Sequence, residues 1–224
     1  RLEVEKQGPE IEVVPEVVSN NGKDANILAG LFLPVSSKVF DAMPNLRIVG
    51  VSRAGVENVN VEEASKRGIL VFNVMGRNAH AVSDFTVGML LAEARNIARA
   101  HLAIKNGEWR KTFSNSDNVM ELHDKNIGII GFGNIGRLLA KKLSGFDMNT
   151  LIYDPFLSKE EIEKLGYKKV ELDELLETSD FITLNARLTE ENRNMLGEEE
   201  FKLMKKTAVL SNTGRAGLVD EGAL

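Results

Sequence analysis

The sequence predicts an α/β protein with mostly parallel sheets, and three observations predict it. Short apolar runs rich in Val, Ile and Leu alternate with helix-length segments along the whole chain. Several of these runs are apolar at successive residues, as strands covered on both faces must be. The alternation also restarts after a long central stretch, so the strands fall into two series.

In the first series the strand candidates are residues 11–14, 27–30, 46–51 and 69–73, with helices expected at 38–43 and 61–67. Gly68 stands where it would close the second of these helices, since glycine accepts the left-handed backbone of a helix end. The second series has strand candidates at 126–131, 150–153, 168–170, 181–185 and 208–212. Between the two lies 79–106, free of proline and carrying one glycine, Gly88, with two neighbouring apolar stripes. It reads as one long helix, either buried in a core or connecting two domains and serving a subunit interface. Residues 107–124, with Trp109 and little periodicity, read as a covering loop.

Composition narrows the possible partners. Hydrophobic residues make up 43% of the 224 and charged residues 27%, the balance of a globular protein. No run approaches the roughly 18 apolar residues of a membrane span. A formal net charge of −5 disfavours nucleic acid and acidic membranes, which leaves a small molecule as the expected ligand. There is no cysteine, hence no disulfide, thiolate metal site or thiol nucleophile, and the expected compartment is the reducing cytoplasm. The chain opens at Arg1 with no secretory pattern, and further residues are expected before it.

The chemistry concentrates at Gly131-Phe-Gly133-Asn134-Ile135-Gly136, which follows one strand candidate and opens a helix. Gly131 permits a tight turn, Gly133 admits a pyrophosphate close to bare backbone, and Gly136 lets helix and strand pack closely. The helix start then offers free N–H groups to phosphate. A glycine pattern alone is weak, but here the next strand ends in Asp154, 18 positions beyond Gly136. A carboxylate there can bind both adenosine ribose hydroxyls and repel a 2′-phosphate, so NAD is expected rather than NADP. Near the end, the strand 208–212 presents Arg215 at its carboxyl tip, where an arginine can clamp a carboxylate in two-pronged fashion. Taken alone, such an arginine is more often a solvated surface residue. Asp220 reads as a helix N-cap.

The combination resembles the D-isomer-specific 2-hydroxyacid dehydrogenase family. The matching pieces are GFGNIG, LIYDPF, LTEENRNMLG and SNTGRAGLVDEGAL, in that order, with 47–58 and 76–86 adding to them. Within the family, Arg53-Ala54-Gly55 and 81–109 look most like the phosphoglycerate dehydrogenases of serine synthesis. The resemblance implies a flavodoxin-like substrate domain, residues 1–104, and a Rossmann-type NAD-binding domain, 105–224. It implies that Arg215 binds the substrate carboxylate and polarises its carbonyl. It places Ser52, Arg53, Ala54 and Gly55 at the same carboxylate, with Arg53 and Arg77 candidates for a substrate phosphate. Asn134 and Ile135 match residues at the pyrophosphate, while Ala186, Thr213 and Gly214 lie where the family's chain passes the cofactor. A homodimer built partly on the long helix is also implied.

Two departures stand out. Asn185-Ala186-Arg187 replaces a frequent His-x-Pro, and the family's Glu and acid/base His are expected beyond Leu224. Of the three histidines, His80 begins the long helix without an orienting carboxylate in fixed register, His101 reads as a core or interface residue of that helix, and His123 as a solvent-facing residue of the covering loop. None is expected to replace that acid/base, and these 224 residues alone are expected to bind NAD weakly and turn over negligibly. Alternatives of the same fold are an NAD-sensing corepressor and a glyoxylate, hydroxypyruvate or D-lactate dehydrogenase; a more distant one is an S-adenosylhomocysteine hydrolase-like NAD protein.

Overall fold

The computed structural model describes residues 8–10 and 14–224, which fall into two compact units, Arg1–Arg77 and Asn78–Leu224. The strand expected at 11–14 lies largely outside the described residues. The first unit holds a parallel sheet in the order β1 (Ile27–Gly30), β2 (Ile48–Val51), β3 (Leu70–Asn73). Helices α1 (Glu16–Asn21), α2 (Ser37–Ala42) and α3 (Val61–Lys66) supply its core with the strand residues Val49 and Val51. Gly68 takes φ +68° just past α3, and its N–H donates to the Ser65 carbonyl, so it ends that helix as expected.

Double coverage of this first sheet is not what the structure shows. In-register Ile27, Ile48 and Leu70 share one face, and Ile27, Leu70 and Phe72 are exposed there. The core gathers on the other face. An apolar run cannot by itself say which of its two faces meets a neighbour.

The second unit contains a five-stranded parallel sheet ordered β6-β5-β4-β7-β8. Its strands are β4 (Asn126–Ile130), β5 (Asn149–Tyr153), β6 (Lys168–Lys169), β7 (Phe181–Leu184) and β8 (Val209–Asn212). Both faces are covered here. Ile127, Ile129, Ile152 and Phe181 enter one core, with Leu90, Leu139 and Leu143 from helices; Ile130, Leu151, Ile182 and Leu184 enter the opposite core, with Leu175 and Leu176. The strand order reverses direction between β4 and β7, which opens a crevice at their carboxyl ends where ligands of such sheets collect. At the opposite end Asp180 ties three strands. Its carboxylate accepts from the Asn126 N–H at 3.0 Å and pairs with Lys205 at 2.9 Å, while its carbonyl accepts from Val209.

The expected long helix is broken. Helix α4 spans Ala79–Ala94 and α5 spans Ile97–Lys105, separated by Arg95 and Asn96. Asn96 sits at φ 57°, a left-handed conformation that asparagine tolerates better than most residues. Its side chain accepts from Arg99, which also pairs with Glu93 at 2.8 Å, so the break is bridged rather than loose. Helix α4 packs against β8 and against α6 (Asn134–Leu143), where Lys142 donates to the His80 carbonyl, the Ser83 hydroxyl and Asp84. The covering loop holds only a short 3-10 turn, Ser116–Asn118, and leaves Trp109 83% exposed. No helix among the described residues is long and apolar enough to cross a membrane.

Candidate functional site

Strand β4 runs into the glycine turn and α6 leaves it, as the sequence predicts. The three glycines answer different demands. Gly131 lies at φ +91°, and a Cβ there would stand 2.6 Å from the Ala186 nitrogen. Gly136 is in the first turn of α6, where a Cβ would stand 2.3 Å from the Gly131 carbonyl oxygen. Gly133 has φ −77°, and a Cβ there would meet nothing within 4 Å. The first and third are therefore required by the chain's own packing. The middle one guards open space above the turn.

That space is suited to phosphate. Helix α6 is ten residues long and carries no acidic side chain in its first turn, so its free N–H groups and positive dipole end face outward unneutralised. Beside it Asp154 follows β5 and is buried, 8% exposed. One of its oxygens accepts from the Phe132 N–H at 2.8 Å and the other from the Phe156 N–H at 2.9 Å. The acidic residue thus braces the turn, while each oxygen keeps a lone pair for a ribose hydroxyl. Phe132 is itself buried, and the Arg137 guanidinium lies over its ring at 4.9 Å. A cradle that a Cβ would fill and a buried carboxylate beside it fit the diphosphate and adenosine ribose of NAD.

Across the crevice the ends of β7 and β8 come close to this turn. The Asn185 N–H donates to the Ile130 carbonyl, Ala186 touches Gly131, and a Cβ on Gly214 would meet the Ala186 oxygen at 3.3 Å. The loop after β8 braces itself: Asn212 donates to the Arg215 carbonyl at 2.9 Å and accepts from the Gly214 N–H at 3.0 Å. Arg215 is exposed, its guanidinium donating to the Gly214 carbonyl at 3.1 Å. Gly131, Gly133, Asn134, Ile135, Gly136, Asp154, Ala186, Thr213, Gly214 and Arg215 thus all lie at the carboxyl edge of one sheet. The Asp220 carboxylate accepts from the Gly222 N–H at 3.0 Å.

In the first unit, Ser52 directs both its N–H and its hydroxyl to the Gly30 carbonyl, so its backbone donor is engaged within the fold. No backbone carbonyl among the described residues takes the N–H groups of Arg53, Ala54 and Gly55. The Arg53 guanidinium lies over the Phe32 ring and pairs with Glu57. Arg77 donates to the Ser52 carbonyl at 2.9 Å. His80 and His101 are exposed, and His123, also exposed, stands beside Asp124 at 3.1 Å.

Two polar features escaped the sequence reading. The Thr86 hydroxyl on α4 meets the Thr213 hydroxyl at 3.1 Å across 127 positions of chain, a pairing no local pattern announces. The Asn185 side-chain oxygen is buried without a partner at the end of β7. Asparagine at a strand's carboxyl tip, in a run that departs from His-x-Pro, was the available signal for the second.

Comparison with known proteins agrees with this geometry. Residues 87–224 match the family model "D-isomer specific 2-hydroxyacid dehydrogenase, NAD binding domain". A D-3-phosphoglycerate dehydrogenase from Methanocaldococcus jannaschii is 40% identical over 205 residues, covering 90% of this chain and 38% of the relative. A glyoxylate reductase from Korarchaeum cryptofilum is 39% identical over 212 residues, covering 93% and 64%. The chain therefore spans only part of the length of these relatives. Among solved structures, D-lactate dehydrogenase from Aquifex aeolicus complexed with NAD and lactic acid matches at a TM-score of 0.79, with 28% identity, over 95% of this chain and 62% of that one. The glycine turn, the buried carboxylate and the family match over 87–224 lead to one conclusion: the chain belongs to the D-isomer-specific 2-hydroxyacid dehydrogenases and carries their NAD-binding domain.

Proposed function

We propose that the protein is an NAD-dependent oxidoreductase that interconverts a 2-hydroxy acid and its 2-oxo acid, with 3-phosphoglycerate as substrate and serine biosynthesis as its setting. The observation that carries the reading is the shared edge: the turn at Gly131–Gly136, Asp154 and Arg215 all stand at the carboxyl ends of one parallel sheet. Bound NAD would take up or supply the hydride at the substrate's C2. Gly133, Asn134 and Ile135 hold the pyrophosphate, Asp154 the adenosine ribose, and Ala186, Thr213 and Gly214 the nicotinamide side. Arg215 clamps the substrate carboxylate and stabilises charge developing on the C2 oxygen. The N–H groups of Arg53, Ala54 and Gly55 are assigned to the same carboxylate, and Arg53 and Arg77 to the phosphate.

One observation favours a second substrate, glyoxylate. Arg53 is already paired with Glu57, which leaves less charge for a phosphate. Steady-state assay of the full-length protein against 3-phosphoglycerate, glyoxylate, hydroxypyruvate and D-lactate, with NAD and NADP in parallel, tests both. Activity with none of the four would sink the enzymatic reading in favour of an NAD-sensing binding protein.

The two-domain division, with 1–104 serving substrate and 105–224 serving NAD, is part of this proposal; by its packing α4 belongs with the second unit. So is a homodimer built on α4 and α5, supported by the exposed Phe85, Met89, Ile97, Leu102 and Ile104. Placement in the cytoplasm rests on the absence of cysteine.

A further inference from the structure

Thr86 lies on α4, completely buried, far in sequence from any residue assigned to the cofactor. Its hydroxyl donates to the Val82 carbonyl at 2.9 Å, the usual back-bond of a helical threonine. A hydroxyl has one proton. With that proton spent on Val82, the 3.1 Å contact to Thr213 has only one workable direction: the Thr213 hydroxyl donates and Thr86 accepts. Thr213 in turn has no proton left to give, so its oxygen is held as an acceptor. It stands immediately beyond β8, on the side of the crevice away from Asp154, in a loop whose neighbours Asn212, Gly214 and Arg215 are locked to one another.

We propose that Thr86 is a positioning residue: it sets the Thr213 hydroxyl as a pure acceptor for the carboxamide amino group of the nicotinamide ring. The inference rests on the NAD reading above and deepens it. Asp154 and the glycine turn take the adenosine and diphosphate, which leaves the β7–β8 side of the edge for the nicotinamide half. There the carboxamide amino group is a donor in need of an acceptor. A fixed lone pair would select the ring face that the carboxamide orientation dictates.

The test is calorimetric titration of the protein with NAD, with ADP, and with 3-acetylpyridine adenine dinucleotide, in which a methyl group replaces the carboxamide amino group. Thr86→Val keeps the shape and frees the Thr213 proton among three staggered positions, so NAD affinity should fall about threefold. Thr213→Val removes the acceptor and should weaken NAD by roughly three- to tenfold. Thr86→Val added to Thr213→Val should weaken it no further, and Thr86→Ser should restore wild-type affinity. Affinities for ADP and the acetylpyridine analogue should stay within about twofold of wild type throughout. Equal losses with ADP or with the analogue, or additive effects of the two valines, would overturn the inference while leaving the NAD reading intact. Failure of the unmutated protein to take up NAD at all would overturn both.

Discussion

Replacing Gly133 by alanine separates what the glycine turn does for the fold from what it does for a ligand. Its φ of −77° is open to any L residue, and the added Cβ meets nothing within 4 Å. The substitution therefore carries no steric cost within the chain. The unfolded chain loses freedom worth about 0.4–1 kcal/mol, but Gly133 is also the N-cap of α6, where alanine is disfavoured by a similar amount. The melting temperature should therefore move by no more than about 2 °C. Binding should respond far more strongly. The methyl group takes the space a diphosphate would fill, and forcing an extra carbon into a fitted contact costs about 1–3 kcal/mol, or roughly 5- to 150-fold in affinity. Differential scanning calorimetry gives the first quantity and NAD titration the second. A melting temperature several degrees lower, or an NAD dissociation constant within about twofold of wild type, would refute the reasoning.

Three other outcomes follow from the same geometry. Gly136→Ala sets a methyl carbon 2.3 Å from the Gly131 oxygen, so it should lower stability by about 1–3 kcal/mol as well as NAD affinity, read by denaturant unfolding. Asp154→Asn retains one acceptor for two backbone donors and loses the charge, so NAD should weaken by roughly 10- to 150-fold and the preference over NADP should shrink, read by parallel titrations. Burial opposes the charge of Asp180, but the Asn126 N–H and the Lys205 ammonium outweigh it and hold its pKa below the ordinary aspartate value. A depressed carboxylate contributes stability that is complete above the unfolded value and is lost as the pH falls through the folded one. Asp180→Asn should accordingly flatten the fall of melting temperature in acid, and an unchanged acid limb would count against the tie.

The second sheet and its glycine turn were legible because each rests on a local rule. Mostly apolar runs such as Phe181–Leu184 are buried on both faces, and Gly131 needs the positive φ its position in GxGxxG implies. Where the sequence misled, the cause was tertiary. The stretch 79–106 has no proline to break it, yet Asn96 turns left-handed, a conformation asparagine tolerates, and Arg99 bonds both the Asn96 side chain and Glu93 across the break. The run at Leu70–Asn73 looks like a buried strand, but Leu70 and Phe72 face away from the core that the three short helices build. In the site, the spacing predicts a carboxylate at the end of β5, but not the two backbone bonds that Asp154 accepts, because they depend on how the turn folds back over the strand end. The sequence offers Ser52 as a ligand donor, and only the position of Gly30 on the neighbouring strand shows that its N–H is engaged within the fold.

Trp109 is the single tryptophan of the chain and lies almost fully in water, while the two tyrosines, Tyr153 and Tyr167, are packed against the two cores of the second unit. Its emission in the native state will resemble that of a free indole, so unfolding will barely shift its colour and should be followed by circular dichroism. The same placement makes it a lamp on the outside of the molecule, a few residues past the end of α5. If subunits pair through that region, the light will move to shorter wavelength as protein concentration rises, with no label attached.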